Sequence, residues 1–401
     1  MSTSTDESDW SVPEATVMSA ARELIEAGRP AVLATIVHVE GSAYRRPGAK
    51  MVVAADGEGV GSITAGCLED EVVTLAREVA ETGRARVETY DLTNDDEDVW
   101  GLGVGCNGVL DVLLEPLDES YLPAVEAFES GTKRAVCTVV DGDRSDLAVG
   151  DRTFYDAGTE AFSSAWPDRV CDELRDPAAR AAENGDSNAI AVGGGSGGSG
   201  SGDGSEDGGE SVRVFVDGVR TPPELVVFGT GHDIGPLVDL ATKNDFRVTV
   251  LGFRGATATT ERFPGAHDVR STSPVNVREA YDFDENSYCV VMSHNFVDDR
   301  LALDELLETP VPYIGLLGPG KRFEEMREEF AAEGRTFTAT ERERIYTPIG
   351  LDLGGEAPYQ IAHSIVAELL AVHNDREPGH LSAREGPIHD RAPLAGAEGD
   401  D

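Results

Sequence analysis

The sequence has few basic residues, and only four of its 401 residues are lysine. Lysine and arginine together number 33 against 75 aspartates and glutamates, so the formal net charge is −42. No basic stripe is present that could release the counterions of a nucleic acid, which argues against nucleic-acid binding. The acidic residues are spread along the whole chain. This favours a surface adapted to high salt, where screening weakens self-repulsion, over an acidic tail for a basic partner.

Paired cysteines and long apolar runs are also lacking. The five cysteines are Cys67, Cys106, Cys137, Cys171 and Cys289. No two of them form a C-x-x-C pair, which argues against a disulfide framework or a zinc knuckle. No apolar run reaches membrane-spanning length, and the acidic residues 1–10 resemble neither a signal peptide nor a transit peptide. We therefore expect a soluble cytoplasmic protein with reduced thiols and no membrane partner.

One segment of unusual composition divides the sequence. Ten of the seventeen residues from Gly193 to Gly209 are glycine, and the others are serine, aspartate or glutamate. Such a segment buries too little apolar surface to order itself. We therefore predict a disordered linker over 188–210 between two domains, as the chain length also suggests. An acidic polar tail is predicted over 376–401.

The residues before this segment predict a mixed α/β domain over 12–187, in which 141–187 is weakly defined. Apolar residues at helical spacing, β-branched runs and the turn Asp56-Gly57 indicate its elements. The predicted helices cover 13–28 and 68–81, and the predicted strands cover 31–39, 50–54, 59–63, 85–90 and 109–114.

The residues after the segment predict a Rossmann-like parallel sheet over 211–375. Strands alternate with helices from 225 to 372, a pattern typical of a parallel sheet covered on both faces. The run 288–292 is continuously apolar, as a buried parallel strand requires. The overall fold class is therefore α/β, with two different domains.

Two glycine motifs match a dinucleotide fingerprint but lie in the wrong context. Gly195, Gly197 and Gly200 lie in the predicted linker, with no helix after them. A second match ends at Gly108 and precedes a predicted strand. A phosphate cradle needs the free N–H groups of a helix N-terminus, so we predict that neither motif binds a nucleotide.

A third, imperfect motif has the right context. Gly229 and Gly231 follow a predicted strand and open a helix, but Ile234 occupies the place of the third glycine. The acid that would hold a ribose hydroxyl is absent, because Gly252 lies near the end of the next strand. Binding of NAD is therefore doubtful, and Arg254 suits either a 2′-phosphate or a solvated surface position.

Other polar residues also follow predicted strands of the second domain. His232 and His294 lie at the carboxyl ends of two parallel strands, where open α/β sheets bind ligands, so we predict a site role for both. The sequence 315–321 resembles a P-loop, but Arg322 replaces the residue that would hold magnesium. Lys321 and Arg322 at a helix start predict an anion site instead of a P-loop, with a plain helix start as the alternative.

Glycine-bounded turns in the first domain carry polar residues. Cys67 lies at a predicted helix start, which lowers a thiol pKa, and Cys106 lies on a separate turn. Either thiol suits a soft metal, although free cysteines are also common as small buried apolar residues. Arg45, Arg46 and Lys50 are clustered cations that suit either a phosphate or the surplus acid.

Four motifs together resemble one known family. They are Gly41-Ser-Ala-Tyr-Arg-Arg-Pro-Gly-Ala-Lys-Met51, Thr64-Ala-Gly-Cys-Leu-Glu69, Gly105-Cys-Asn-Gly108 and Phe228-Gly-Thr-Gly-His-Asp233. The sequence resembles the XdhC/CoxI family, whose members mature molybdenum hydroxylases such as xanthine and carbon monoxide dehydrogenases. It departs from the family pattern at Gly252, where an aspartate is usual, and at Pro319.

The resemblance implies a maturation factor without a catalytic residue. Such a factor binds the molybdenum cofactor (molybdopterin) and delivers it, in sulfurated form, to the apoenzyme of a molybdenum hydroxylase. A cysteine desulfurase as second partner and a homodimeric state are further expectations. The alternative is an NAD(P)-dependent oxidoreductase built on the second domain, and the displaced glycine and the missing acid argue against it.

The expected cofactor-binding residues fall into two groups. In the first domain they are Gly41, Ser42, Arg45, Gly66, Cys67, Glu69, Cys106, Asn107 and Gly108. In the second domain they are Gly229, Gly231, His232, Arg254, His294, Lys321 and Arg322. Cys67 and Cys106 are the expected molybdenum ligands, because thiolates are soft ligands.

Overall fold

The computed structural model describes residues 10–41, 43–92, 108–142, 144–164, 166–193 and 211–383. The chain divides into two compact units: the first unit ends at Thr221 and the second unit begins at Pro222. Among the described residues, no helix is both long enough and apolar enough to cross a bilayer.

The first unit contains two antiparallel five-stranded sheets. The first sheet has the order β3-β2-β1-β5-β4 and consists of β1 (Ala31–Gly41), β2 (Lys50–Ala54), β3 (Gly59–Gly61), β4 (Arg86–Asp91) and β5 (Gly108–Pro116). The second sheet has the order β8-β7-β6-β10-β9 and consists of β6 (Arg134–Gly142), β7 (Arg152–Asp156), β8 (Ala161–Phe162), β9 (Ser187–Val192) and β10 (Val212–Gly218). The helices of this unit are α1 (Glu14–Glu26), α2 (Glu69–Thr82), α3 (Leu122–Ser130) and α4 (Asp168–Asn184).

Both faces of β1 are covered, which explains its almost uninterrupted apolar sequence. Successive side chains of a strand point to opposite faces. Val32 and Ala34 belong to a buried cluster with Val72 of α2. Leu33, on the other face, belongs to a cluster with Val17 of α1. The first sheet therefore lies between helices that cover different faces.

The structure corrects the predicted domain boundary. β9 and β10 are antiparallel neighbours in one sheet, with Val192 opposite Val212. The glycine-rich segment therefore joins two strands of the first unit, so it cannot be a linker between domains. Its residues 194–210 lie outside the described part of the chain, as do residues 384–401 of the predicted tail. The weakly predicted stretch 141–187 contains β7, β8 and α4.

The second unit is a parallel sheet of six strands, as predicted. The sheet consists of β11 (Glu224–Phe228), β12 (Arg247–Gly252), β13 (Asp268–Ser271), β14 (Ser287–Val291), β15 (Tyr313–Leu316) and β16 (Ile345–Tyr346). Its helices are α5 (Ile234–Thr242), α6 (Val277–Ala280), α7 (Phe296–Leu307), α8 (Gly320–Ala332), α9 (Ala339–Glu343) and α10 (Pro358–His373). The strand order is β13-β12-β11-β14-β15-β16, which is the order of dinucleotide-binding folds.

Helices cover both faces of this sheet and leave one crevice at its carboxyl edge. Leu225 packs in a cluster with residues of α5 and α10, and Val226 packs in a cluster with residues of α7 and α8. From β11 the chain continues to β12 on one side, while β14 leads to β15 on the other. The loops after β11 and β14 therefore diverge, and ligands of such sheets bind at this point.

Candidate functional site

Two glycines shape the loop after β11. Gly229 has a φ of +139°, and a Cβ there would lie 2.6 Å from the carbonyl oxygen of Met292. A Cβ at Gly231 would lie 2.3 Å from Oδ1 of Asp233. Both distances are shorter than a Cβ contact allows. The glycines are therefore required because the loop after β14 passes close to the loop after β11.

The two loops are joined by a histidine and an aspartate. His294 Nε2 lies 2.9 Å from Asp233 Oδ2, and His294 has a left-handed backbone with a φ of +60°. Since an ionised carboxylate only accepts hydrogen bonds, Nε2 carries the proton and Nδ1 keeps a lone pair. His232, predicted alongside His294, is exposed. Sequence reasoning missed Asp233, although it is the last residue of the glycine motif that begins at Phe228.

A buried carboxylate holds the loop that carries His294. Asp299 is 2% exposed, and its Oδ1 accepts hydrogen bonds from the backbone N–H, at 3.2 Å, and the hydroxyl of Ser293. Arg322 donates to its other oxygen, Oδ2. Lys321 is exposed and lies 3.6 Å from Oε1 of Glu325. Both cations of the predicted anion site therefore have carboxylate partners within the protein.

The end of β12 lacks the features of a ribose site. A Cβ at Gly252 would lie 2.7 Å from side-chain carbons of both Thr230 and Ala258, so these residues fill the space that an acidic side chain would need. Arg254 donates to Asp298 over 3.0 Å while remaining largely exposed. Asp233 also places a carboxylate at the start of α5, where a pyrophosphate binds in dinucleotide folds.

We expect NAD to bind too weakly to saturate the protein at about 1 mM, which corresponds to about −4 kcal/mol. The physical reason is that a carboxylate opposes the pyrophosphate and no acid receives the ribose. Any binding of NADP should exceed that of NAD and fall in Arg254→Ala, because only NADP offers a 2′-phosphate to that arginine. Calorimetric titration measures both. Micromolar NAD binding that survives Arg254→Ala would contradict this expectation.

Two predicted glycines of the first unit meet in the structure. Gly41 ends β1 and lies directly opposite Gly108, which begins β5. Ser42, Cys106 and Asn107 lie outside the described residues. Arg45 lies close to Gly41 in the chain and is partly exposed. The structure thus brings the start of the motif 41–51 beside the end of the motif 105–108.

The turn before α2 positions Cys67. Gly66 has a φ of +107°, which disfavours any other residue, and no atom lies within 4 Å of a Cβ placed there. The backbone N–H of Cys67 donates to Thr64 Oγ1 over 3.2 Å. Cys67 is half-buried, so its thiol lies on a turn of fixed geometry with open space at its neighbour.

Glu69 fixes this same turn. It is 4% exposed, and its carboxylate accepts hydrogen bonds from the N–H of Thr64 at 2.8 Å and the N–H of Leu68 at 3.2 Å. The hydroxyl of Thr64 donates to it as well. The predicted role of Glu69 as a direct ligand contact therefore changes. The structure makes it the residue that holds the turn in place.

Lys50 has a structural partner in place of a ligand. Its Nζ lies 2.7 Å from Oδ2 of the buried Asp217, while Ser187 donates to Oδ1 over 2.6 Å. Burial alone would lower the pKa of Lys50, but the Asp217 carboxylate outweighs burial and the pKa is raised. Lys50 is thus a core cation that joins β2 to β10.

Within the described ranges, no group of three or more His, Cys, Asp and Glu side chains is placed to hold a metal ion. Cys106, the second predicted molybdenum ligand, lies outside those ranges. Cys67 is accordingly the predicted metal ligand that the structure describes.

Comparison with known proteins matches both units. The family model described as "XdhC and CoxI family" matches residues 24–91, and the model described as "XdhC Rossmann domain" matches residues 225–369. A Bacillus subtilis protein, named there as a probable xanthine dehydrogenase subunit, is 28% identical over 351 residues, which cover 86% of this chain and 94% of that protein.

Two further proteins are similar to this chain. The Escherichia coli "Molybdenum cofactor insertion chaperone PaoD" is 39% identical over 75 residues, 19% of this chain and 24% of that protein. A crystal structure of a Bacillus halodurans protein described as a xanthine dehydrogenase superposes with a TM-score of 0.68 at 27% identity. That match covers 90% of this chain and 96% of the other. Since two models of one family match the two units in order, the chain belongs to the XdhC/CoxI family.

Proposed function

We propose that the protein is a maturation factor that binds the molybdenum cofactor and delivers it, in sulfurated form, to a molybdenum hydroxylase of the xanthine or carbon monoxide dehydrogenase type. Family membership supports this proposal, as does similarity to a protein named as a molybdenum cofactor insertion chaperone. Sulfuration requires a sulfur donor, so a cysteine desulfurase is the second partner of the proposal. A homodimeric state is also part of it.

The turn that carries Cys67 is the observation on which this proposal rests. Thiolates are preferred ligands of soft metals, and the open space at Gly66 lets a bulky group approach the thiol. Glu69 and Thr64 hold the turn through hydrogen bonds, so the thiol needs little rearrangement on binding. The residues therefore fit a molybdenum-bearing group.

The bound cofactor supplies the molybdenum centre that the client enzyme uses. The residues of this chain only hold and release it. Cys67 would contact the metal, and Arg45, three residues after Ser42 in the same motif, would pair with the cofactor's phosphate. Gly41 and Gly108 leave the adjoining strand ends without side chains, which allows close approach of a ligand.

An NAD(P)-dependent oxidoreductase is the second candidate function. The strand order of the second unit favours it, since dinucleotide-binding folds share that order. The filled space at Gly252 and the carboxylate of Asp233 at the start of α5 count against it. We therefore place it second.

Replacing Cys67 by serine should reduce the cofactor content of the purified protein by at least about tenfold, the lower bound for loss of a group that supports a metal. Cofactor content is measured as molybdenum by elemental analysis and as the fluorescent oxidised pterin. Cys106→Ser should have the same effect. Delivery is measured as the activation of an apo molybdenum hydroxylase.

The matched control is Cys171→Ser, because Cys171 is another half-buried free cysteine of the first unit. We expect this variant to load like the parent protein. Thermal melts should be similar for all three variants. Cofactor loading and delivery that are unchanged in both Cys67→Ser and Cys106→Ser would refute the thiol assignment.

A further inference from the structure

The crevice at the carboxyl edge of the second unit has features that the Cys67 turn does not explain. Its two walls are the loops after β11 and β14, which carry Asp233 and His294. These strands are hydrogen-bonded neighbours, yet the chain leaves them in opposite directions. Ligands of open α/β sheets bind at this position.

His294 is held there in a costly conformation. A left-handed backbone costs a residue other than glycine about 1–3 kcal/mol, and it persists only where its surroundings fix it. On one side Ser293 is bonded to the buried Asp299. On the other side Asn295 caps α7 by accepting from the N–H groups of Val297 and Asp298, each at 3.0 Å. The strained backbone directs the imidazole to Asp233.

The charges around the crevice favour a ligand that donates hydrogen bonds. Asp299 is paired with Arg322, and Asp298 with Arg254. Arg262 lies on the far side of the first loop, where it donates to the carbonyl of Thr230. Asp233 faces only an imidazole whose bonded nitrogen is a neutral donor, and its side chain is 27% exposed. Its carboxylate opposes a phosphate at the start of α5 and attracts N–H groups.

One oxygen of Asp233 is kept open by a glycine. Oδ2 accepts from His294 Nε2. Any side chain at position 231 would cover Oδ1, because a Cβ there would lie 2.3 Å from it. A carboxylate has about four lone-pair positions, so Asp233 can accept two further hydrogen bonds. Paired donors with parallel N–H groups are the partners that carboxylates bind in a bidentate manner.

We propose that this crevice is a ligand site in which Asp233 accepts two hydrogen bonds from an aminopyrimidinone edge, the amino group and adjacent ring N–H that pterins and guanine share. His294 is the positioning residue that orients the carboxylate. The inference deepens the proposed function and rests on it for the choice of the pterin as ligand. Asp299 and Arg322 act at one remove, by holding the loop of His294.

The test is titration of the full-length protein with pterin and with lumazine, followed by the intrinsic fluorescence of the ring. Lumazine has a carbonyl oxygen in place of the amino group, so it would place an acceptor against the carboxylate. We expect pterin to bind at least about tenfold more tightly, because a site built for an N–H group rejects an analogue that lacks it. In Asp233→Asn this preference should disappear.

Asp298→Asn is the matched control, since Asp298 lies beside the same crevice and pairs with Arg254. It should keep the preference for pterin, and far-UV circular dichroism should show both variants folded. A parallel titration with guanosine and inosine, which differ by the same amino group, identifies the source of the ring. Preference for guanosine over inosine, with tighter binding than pterin, would support the edge chemistry and assign the site to a guanine nucleotide.

Two results would overturn the inference: equal binding of pterin and lumazine by the parent protein, or a preference for pterin that survives Asp233→Asn. The proposed function is tested separately by cofactor loading in the Cys67 variants. A protein that loads cofactor but does not distinguish pterin from lumazine would refute this inference alone. A protein that makes the distinction at Asp233 but takes up no cofactor would refute the proposed function alone.

Discussion

Replacing Asp217 by asparagine should lower the free energy of unfolding of the first unit by about 3–5 kcal/mol, since removing one partner of a buried ion pair leaves the other charge uncompensated. Lys50 and Asp217 are 7% and 5% exposed, and their 2.7 Å contact joins the two sheets. Glu14 is 3.8 Å from Lys50 Nζ, too far to replace the lost partner. The measurement is urea denaturation followed by tryptophan fluorescence, because all three tryptophans precede Thr221.

The matched control removes both charges. In the double variant Lys50→Met/Asp217→Leu no buried charge is left alone, so most of the lost stability should return. The raised pKa of Lys50 means that the pair's contribution is fully present below about pH 10, the ordinary pKa of lysine, and is lost only as pH rises further. A single variant as stable as the parent at neutral pH would show that the pair is solvated.

Gly229→Ala should lower the stability of the second unit by roughly 3 kcal/mol or more. The new Cβ would meet the carbonyl oxygen of Met292 at 2.6 Å, a backbone atom that cannot move away alone. The φ of +139° adds a second cost, since a residue with a side chain is strained there. Overpacking and backbone strain each cost about 1–3 kcal/mol.

Gly235→Ala is the control in the same glycine motif. Gly235 lies inside α5 with no atom within 4 Å of a Cβ placed there. Alanine should therefore stabilise the helix by about 0.8–1 kcal/mol. Both variants are compared by urea denaturation followed by far-UV circular dichroism. Equal effects of the two substitutions would mean that the loop after β14 does not pack against Gly229.

Local patterns predicted the second unit well because a parallel sheet has strong local signals. Its strands are buried on both faces, so runs such as 288–292 are continuously apolar. The turn Asp56-Gly57 likewise predicted a hairpin, and Val53 lies opposite Gly59 in the structure. The context rule also favoured Gly229 over Gly108, and Gly108 does begin a strand.

Contacts between distant residues could not be predicted in the same way. Asp233 and His294 are 61 positions apart, and nothing local to either shows that two loops meet. The partner of Lys50 is on β10, so a cation that looks available in the sequence is neutralised in the core. Glu69 was identified by its position in a motif, but its role follows from hydrogen bonds to Thr64 that only the folded turn reveals.

The prediction of a linker failed for a different reason. Composition indicates that the residues from Gly193 to Gly209 lack a core of their own, but it does not indicate which strands lie on either side. Strand pairing is set by partners far along the chain, and β10 pairs with both β6 and β9. The boundary at Thr221 is marked by no comparable change in composition.

The pairing of β9 with β10 affects how the protein can be divided for experiments. A protease cut within the glycine-rich segment would leave β9 on one fragment and β10 on the other, although the two are bonded along six residue pairs. The fragments would stay associated as a split sheet, much as a nicked hairpin does. A gene fragment for the second unit should therefore begin near Pro222, because one that begins at 211 would carry a strand torn from its sheet, with an exposed edge prone to aggregation.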